Sequence, residues 1–318
     1  MIRTKITDML GIVHPVIQGG MAWISDHNLA AAVSNAGGLG VIAAGNAPVD
    51  AVRKEIEELC KKTDKPFGVN IMLMSPYAED VAKLVTEMRV PVVITGAGNP
   101  QKYIPMFKEV GIKIIPVVPN VNLARRLESY DVDAVIAEGC EAGGHIGEMT
   151  TMALVPQVVS AINIPVIAAG GIADGRGLMA AFALGAQGVQ MGTVFVASKE
   201  CTVHQNYKDL LIKAKDTDTI VTGRIAGFAA RQLKNKFSRS MIDLEKKVQD
   251  VAVLEEHLTG SLRKAAVDGN VKEGSFMAGQ IAGMVKEERS AKQIVDYIIA
   301  DAEDLYKNFS KRSGVKFE

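Results

Sequence analysis

His145 sits in a loop of small residues, Glu141-Ala142-Gly143-Gly144-His145-Ile146-Gly147. Imidazole is the side chain most readily used for proton transfer near pH 7. The glycines on its N-terminal side leave room for the ring to lean over a planar partner. A histidine bonded to its own loop backbone would give the same local sequence, and position alone does not choose between the two. Cys140, next to this loop, has no identifiable cationic neighbour that would lower its pKa, so it reads as a structural thiol rather than a nucleophile. His14, His27, His204 and His257 are scattered and make no HxxxH-type metal spacing.

A second group of residues suits an anion. Gly170-Gly171 and Met191-Gly192-Thr193 each end an apolar run. Glycine lets backbone N–H groups approach phosphate oxygens closely, and Thr193 adds a hydroxyl. The plainer reading is a pair of tight turns. Met21 and Ala22 follow an apolar run, Asn70 lies inside one and Glu138 ends one. Their backbone amides, amide side chain and carboxylate could serve the edge of a polar ring or a ribityl chain. Each of these signals is weak alone: an asparagine in a strand usually satisfies local backbone, and a single glutamate is usually structural. No GxGxxG opens a strand–helix unit, and GxxxxGK[ST] is absent, so a Rossmann nicotinamide site or a P-loop is unsupported.

The elements that would position these residues form a rhythm. Short apolar runs recur at 15–20, 39–45, 67–73, 90–96, 113–119, 133–139, 165–171 and 188–193, each followed by a loop and a helix-like segment. Runs without alternation suit parallel strands buried on both faces. Eight strand–helix units predict an α/β fold, a (β/α)8 TIM barrel, with an open doubly wound sheet as the runner-up. Ser75-Pro76 and Asn99-Pro100 read as helix starts. Beyond residue 198 the rhythm stops. The chain therefore divides into a barrel, 1–198, and a mostly helical cap or substrate region, 199–318, whose loop 274–283 returns to the site. Barrels place their chemistry at the strand C-termini, and the loops after strands seven and eight are the usual phosphate site.

Composition narrows the function classes. Lys+Arg and Asp+Glu both number 36, giving a formal net charge of +0. That removes long-range attraction to nucleic acid or anionic membrane as a leading idea. Three scattered cysteines point to a reducing compartment. The uncharged stretches 28–49 and 150–173 are broken by polar residues or proline, so no membrane span is expected. The expected location is cytoplasmic. One stretch, 206–240, is locally basic: Lys208, Lys213, Lys215, Arg224, Arg231, Lys234, Lys236 and Arg239 stand against Asp209, Asp216 and Asp218. It is either a solvated face or a docking patch for an acidic partner.

QGGMAW (18–23), NAGGLGVI (35–42), KPFGVNIML (65–73), TGAGNP (95–100), IPVVP (115–119), AVIAEGCEAGGHIG (134–147), IPVIAAGGIADG (164–175), VQMGT (189–193) and SFMAGQIAG (275–283) follow one another in order. Together they resemble the FMN-dependent enoyl-[acyl-carrier-protein] reductases of the flavoprotein type, within a superfamily that includes the nitronate monooxygenases. The resemblance covers about nine tenths of the chain. It implies FMN held by Met21, Ala22, Asn70, Glu138, Gly143, Gly144, Gly170, Gly171, Met191, Gly192 and Thr193, with Gln280 at the cofactor from the returning loop. It places His145 over the flavin as the catalytic residue. It further implies NADH or NADPH as reductant, an acidic acyl carrier protein bearing the enoyl substrate, a homodimer, and stimulation by a monovalent cation whose ligands the sequence does not assign. The C-terminal SFMAGQIAG and the continuation of KPFGVNIML into TGAGNP favour the reductase. FMN- and O2-dependent oxidation of alkyl nitronates is the alternative, and a non-catalytic phosphosugar- or nucleotide-binding barrel is a third reading.

Overall fold

In the computed structural model, which describes residues 2–248 and 250–315, the eight apolar runs form eight parallel strands. They are β1 (Val16–Gln18), β2 (Gly40–Ala43), β3 (Phe67–Met72), β4 (Val92–Gly96), β5 (Lys113–Val118), β6 (Val135–Glu138), β8 (Val166–Ala169) and β9 (Gly188–Met191), with a two-residue strand β7 (Gly144–His145) outside the series. The order is β1-β9-β8-β6-β5-β4-β3-β2. A bridge from Ile17 to Leu39, with Gln18 N–H on Leu39 O at 2.9 Å, joins the two ends. The sheet is thus a (β/α)8 barrel, and the open-sheet alternative is excluded.

The lack of alternation in these strands has the expected cause. Val41, Ile94, Ile115, Ile136 and Ile167 point into the lumen, where Ile6 and Leu10 of the helix Lys5–Leu10 plug the lower end. Their neighbours Ile42, Val93, Ile114, Val135 and Ala168 face the surrounding helices. Both faces are buried, so both must be apolar. The expected helix starts at Pro76 and Pro100 come early: the helices are Ala78–Glu87 and Ile104–Glu109, preceded by turns.

The C-terminal part departs from expectation in two ways. It contains a hairpin, β10 (Thr219–Thr222) and β11 (Ala230–Leu233), which adds to β7 as a three-stranded sheet. And the long helix Ala291–Lys307 packs on the barrel helices Gly175–Ala183 and His27–Asn35, between the seventh and first strand–helix units. The boundary at 198 is therefore corrected in space. Residues 199–290 form an insertion after β9, and the following helix supplies the barrel's eighth. The helices Lys236–Glu245 and Val251–Leu258 close a small core of Ala226, Met241 and Leu254 in that insertion.

Candidate active site

The strand C-termini open into a cleft of about 500 Å³. Met21, Ala22, Asn70, Glu138, Gly143, Gly144, His145, Gly170, Gly171, Met191, Gly192 and Thr193 all line it. Residues far apart in the chain thus converge because each lies near the C-terminal end of a barrel strand or in the loop after it, Asn70 within β3. Gln280 does not join them. Its side chain is exposed, and its contribution is a backbone N–H donated to Glu141 O at 2.9 Å. The neighbours Met277, Gly279 and Ile281 face the cleft instead. The residue preceding Gln280 shows why the loop returns here: Gly279 N–H donates to Thr193 Oγ1 at 2.9 Å.

The end of the cleft at Gly170 and Gly171, where the sequence suggests an anion site, is built from backbone. Gly170 and Gly171 have φ of +92° and +72°, left-handed conformations that glycine adopts without strain. Among the described residues no Lys or Arg lines the cleft. Glu141, which also lines it, is committed elsewhere: its carboxylate accepts from Thr151 N–H at 2.9 Å and from Thr151 Oγ1 at 3.0 Å, capping the helix Thr151–Ala161.

The part of the cleft at Glu138 and Gln190 is more polar. Glu138 ends β6 at the base of the cleft, and burial pushes its pKa up to about 7. Gln190, buried in β9 and facing the cleft, has an Oε1 without a hydrogen-bond partner among the described residues. Sequence reading passed over Gln190, although a glutamine flanked by Val189 and Met191 in an apolar run was a signal. His145 is open to the cleft, and the chain around that opening desolvates the ring, which lowers its pKa. β7 hangs His145 from the hairpin, opposite Ala230.

The basic stretch divides. Lys208 is buried, donating to Ser198 O at 2.7 Å and pairing with Glu288 at 3.4 Å, and Arg231 is buried too. Lys213, Lys215, Arg224, Lys234, Lys236 and Arg239 are exposed. Among the described residues no helix is long and apolar enough to cross a membrane.

A match to the nitronate monooxygenase family runs over residues 3–87 and 74–301 in two overlapping segments. The chain belongs to the nitronate monooxygenase family. This is a family of oxidoreductases, and its members differ in what they are named for. A probable nitronate monooxygenase of Staphylococcus saprophyticus is 37% identical, over 96% of this chain and 99% of that protein. A Mycobacterium tuberculosis member named as a hydroxy-methyl-oxo-octahydroindene-carboxyl-CoA dehydrogenase is 34% identical, over 95% and 96%. The solved structure of FabK from Thermotoga maritima is 53% identical with a TM-score of 0.95, covering 99% of this chain and all (100%) of that one.

Proposed function

We propose that this family member is an FMN-dependent enoyl-[acyl-carrier-protein] reductase using NADH or NADPH. The observation that carries the reading is the 53% identity to FabK along 99% of the chain, against 37% to the nitronate monooxygenase of S. saprophyticus.

The residues present suit the cofactor. The unpartnered Gln190 Oε1, the Asn70 amide and the Glu138 carboxyl can meet the donors and acceptors of an isoalloxazine edge. The left-handed Gly170-Gly171 turn and the Thr193 hydroxyl can take the phosphate. When bound, FMN supplies the two-electron carrier between nicotinamide and the enoyl thioester. The remaining work falls to the chain. His145 gives a proton to the substrate's Cα or hydrogen-bonds its thioester carbonyl. Backbone amides at the mouth stabilise the enolate-like oxygen, a use of fixed dipoles worth a few kcal/mol. The insertion 199–290 restricts water. The exposed lysines and arginines around 213–239 are the proposed docking face for the acidic carrier protein.

The test is anaerobic: NADH should bleach the flavin band, and crotonyl thioester should restore it. Bleaching of the oxidised flavin by an alkyl nitronate, with O2 as the re-oxidant and no re-oxidation by the thioester, supports the second reading, which the family match and the S. saprophyticus relative favour. A preparation that never binds flavin would leave only a non-catalytic barrel.

A further inference from the structure

His145 belongs to the barrel by sequence and to the insertion by hydrogen bonding. Its strand, β7, is the edge of the hairpin sheet: Ala230 lies opposite His145, and Arg231 opposite Gly144. Ile146 N–H donates to Ala229 O at 3.0 Å and extends the pairing by one residue. Among the described residues the His145 ring has no hydrogen-bond partner, and desolvation lowers its pKa. Its orientation must therefore come from the backbone beneath it. That backbone runs through Gly143 and Gly144 and has little stiffness of its own.

One side chain ties both ends of this segment. Arg231 pairs with Gly144 through its backbone, and its guanidinium turns back to the start of the loop. Nε and Nη2 both donate to Cys140 O, at 3.1 and 3.0 Å, and Nη1 reaches Thr219 Oγ1 on β10 at 3.4 Å. The residue is 8% exposed. Among the described residues, its hydrogen bonds go to a carbonyl and a hydroxyl and none to a carboxylate. Burial lowers its pKa, the Glu141 carboxylate nearby opposes that without bonding it, and the hydrogen bonds of its fork offset the rest of the cost and fix its place. Two donors on one carbonyl and a third on the neighbouring strand require a planar, multidentate group, which an ammonium does not replace.

We propose that Arg231 is a positioning residue for His145: it clamps the Cys140 carbonyl to the hairpin strand that carries His145, and so fixes the imidazole over the cleft. The proposal rests on the reading of His145 as the proton-donating or carbonyl-binding group.

In the flavin-loaded enzyme, Arg231→Met is expected to keep its flavin and its NADH-driven bleaching. It should lose roughly 10- to 100-fold in kcat for enoyl thioester, with KM little changed, the scale of a catalytic group displaced by about an ångström. Arg231→Lys should fall with it, because the charge survives and the fork does not. In a His145→Ala background, Arg231→Met should cost nothing further. The ring resonance of His145, assigned by its loss in His145→Ala, should shift in Arg231→Met. A full second loss on top of His145→Ala, or an unmoved His145 resonance, overturns the clamp. If Arg231→Met does not fold or load flavin, Thr219→Val removes only the third contact, and the same cycle and resonance decide. Normal turnover by His145→Ala sinks the proton-donor reading itself, and the resonance still reports whether Arg231 orders the ring.

Discussion

His145 reaches the cleft without a hydrogen bond of its own, and desolvation holds its pKa below the ordinary 6.5. Near pH 7 the ring is therefore neutral, able to donate an N–H to a carbonyl, and its stronger acid form is populated only at lower pH. His145→Ala should retain FMN and most NADH-driven flavin reduction, yet lose about 10²–10⁴-fold in enoyl-thioester turnover. If the imidazolium is the acid, the reaction of reduced enzyme with thioester should slow as pH rises, with a midpoint below 6.5. A flat profile in an enzyme that still needs His145 makes the neutral ring a hydrogen-bond donor instead. Gly171 tests the anion end at the same scale. Its φ of +72° is one that Asp and Asn tolerate better than other side chains, so their comparison separates charge from strain. Gly171→Asp should lose flavin while the barrel stays folded, and Gly171→Asn should retain more. Equal flavin stoichiometry in both, measured on purified protein, would remove this turn from the phosphate site.

At the scale of elements, the site depends on how the segment 274–283 is fastened. Gly279 N–H holds Thr193 Oγ1 at 2.9 Å, and Gln280 N–H holds Glu141 O at 2.9 Å. This seam runs against Gly143, where a Cβ would stand 2.7 Å from the Ala278 carbonyl carbon. That contact is backbone and cannot swing aside. Gly143→Ala should push the returning segment off the His145 loop, and overpacking of this kind typically costs about 1–3 kcal/mol. Flavin should dissociate roughly tenfold more readily, read from the fluorescence of released FMN, with the far-UV spectrum unchanged. Unaltered retention would show that the seam closes over the cofactor without gripping it. The sequence marked this segment by its glycines. It did not mark Gln280 as a backbone contributor, because a hydrogen bond from a main-chain N–H leaves no trace in residue type.

For the molecule as a whole, Glu138 links the site to stability. Its carboxyl titrates at about 7 in the folded chain, against 4.5 when unburied. A raised folded pKa means that the neutral form is favoured by folding. Its contribution is complete below about pH 4.5, falls away as pH rises through 7, and stays lost above. The span is on the order of 3 kcal/mol. In flavin-free protein, Glu138→Gln should flatten this part of the pH dependence, so that the thermal midpoint of wild type drops relative to the variant between pH 5 and 8. Parallel curves for the two proteins would mean that Glu138 is solvated in the folded state.

The barrel could be read from sequence because its eight strands are buried on both sides, and double burial writes an uninterrupted apolar run into the chain. The glycines, Asn70, Glu138 and His145 were legible for a related reason: each lies late in such a run, ends it or follows it, and a parallel barrel brings every strand's C-terminal end to one mouth. Three things waited for the tertiary structure. The hairpin strands contain Arg231 and Gln232, which look solvent-facing in sequence and are buried only because the insertion folds onto the His145 loop. Gln190 sits in an apolar strand, and only the closed barrel shows that its amide faces the cleft. The helix Ala291–Lys307 reads as part of the cap but completes the barrel ring. Local sequence carries periodicity and turn chemistry. Which distant surfaces bury one another is decided when the barrel closes and the insertion packs across its mouth.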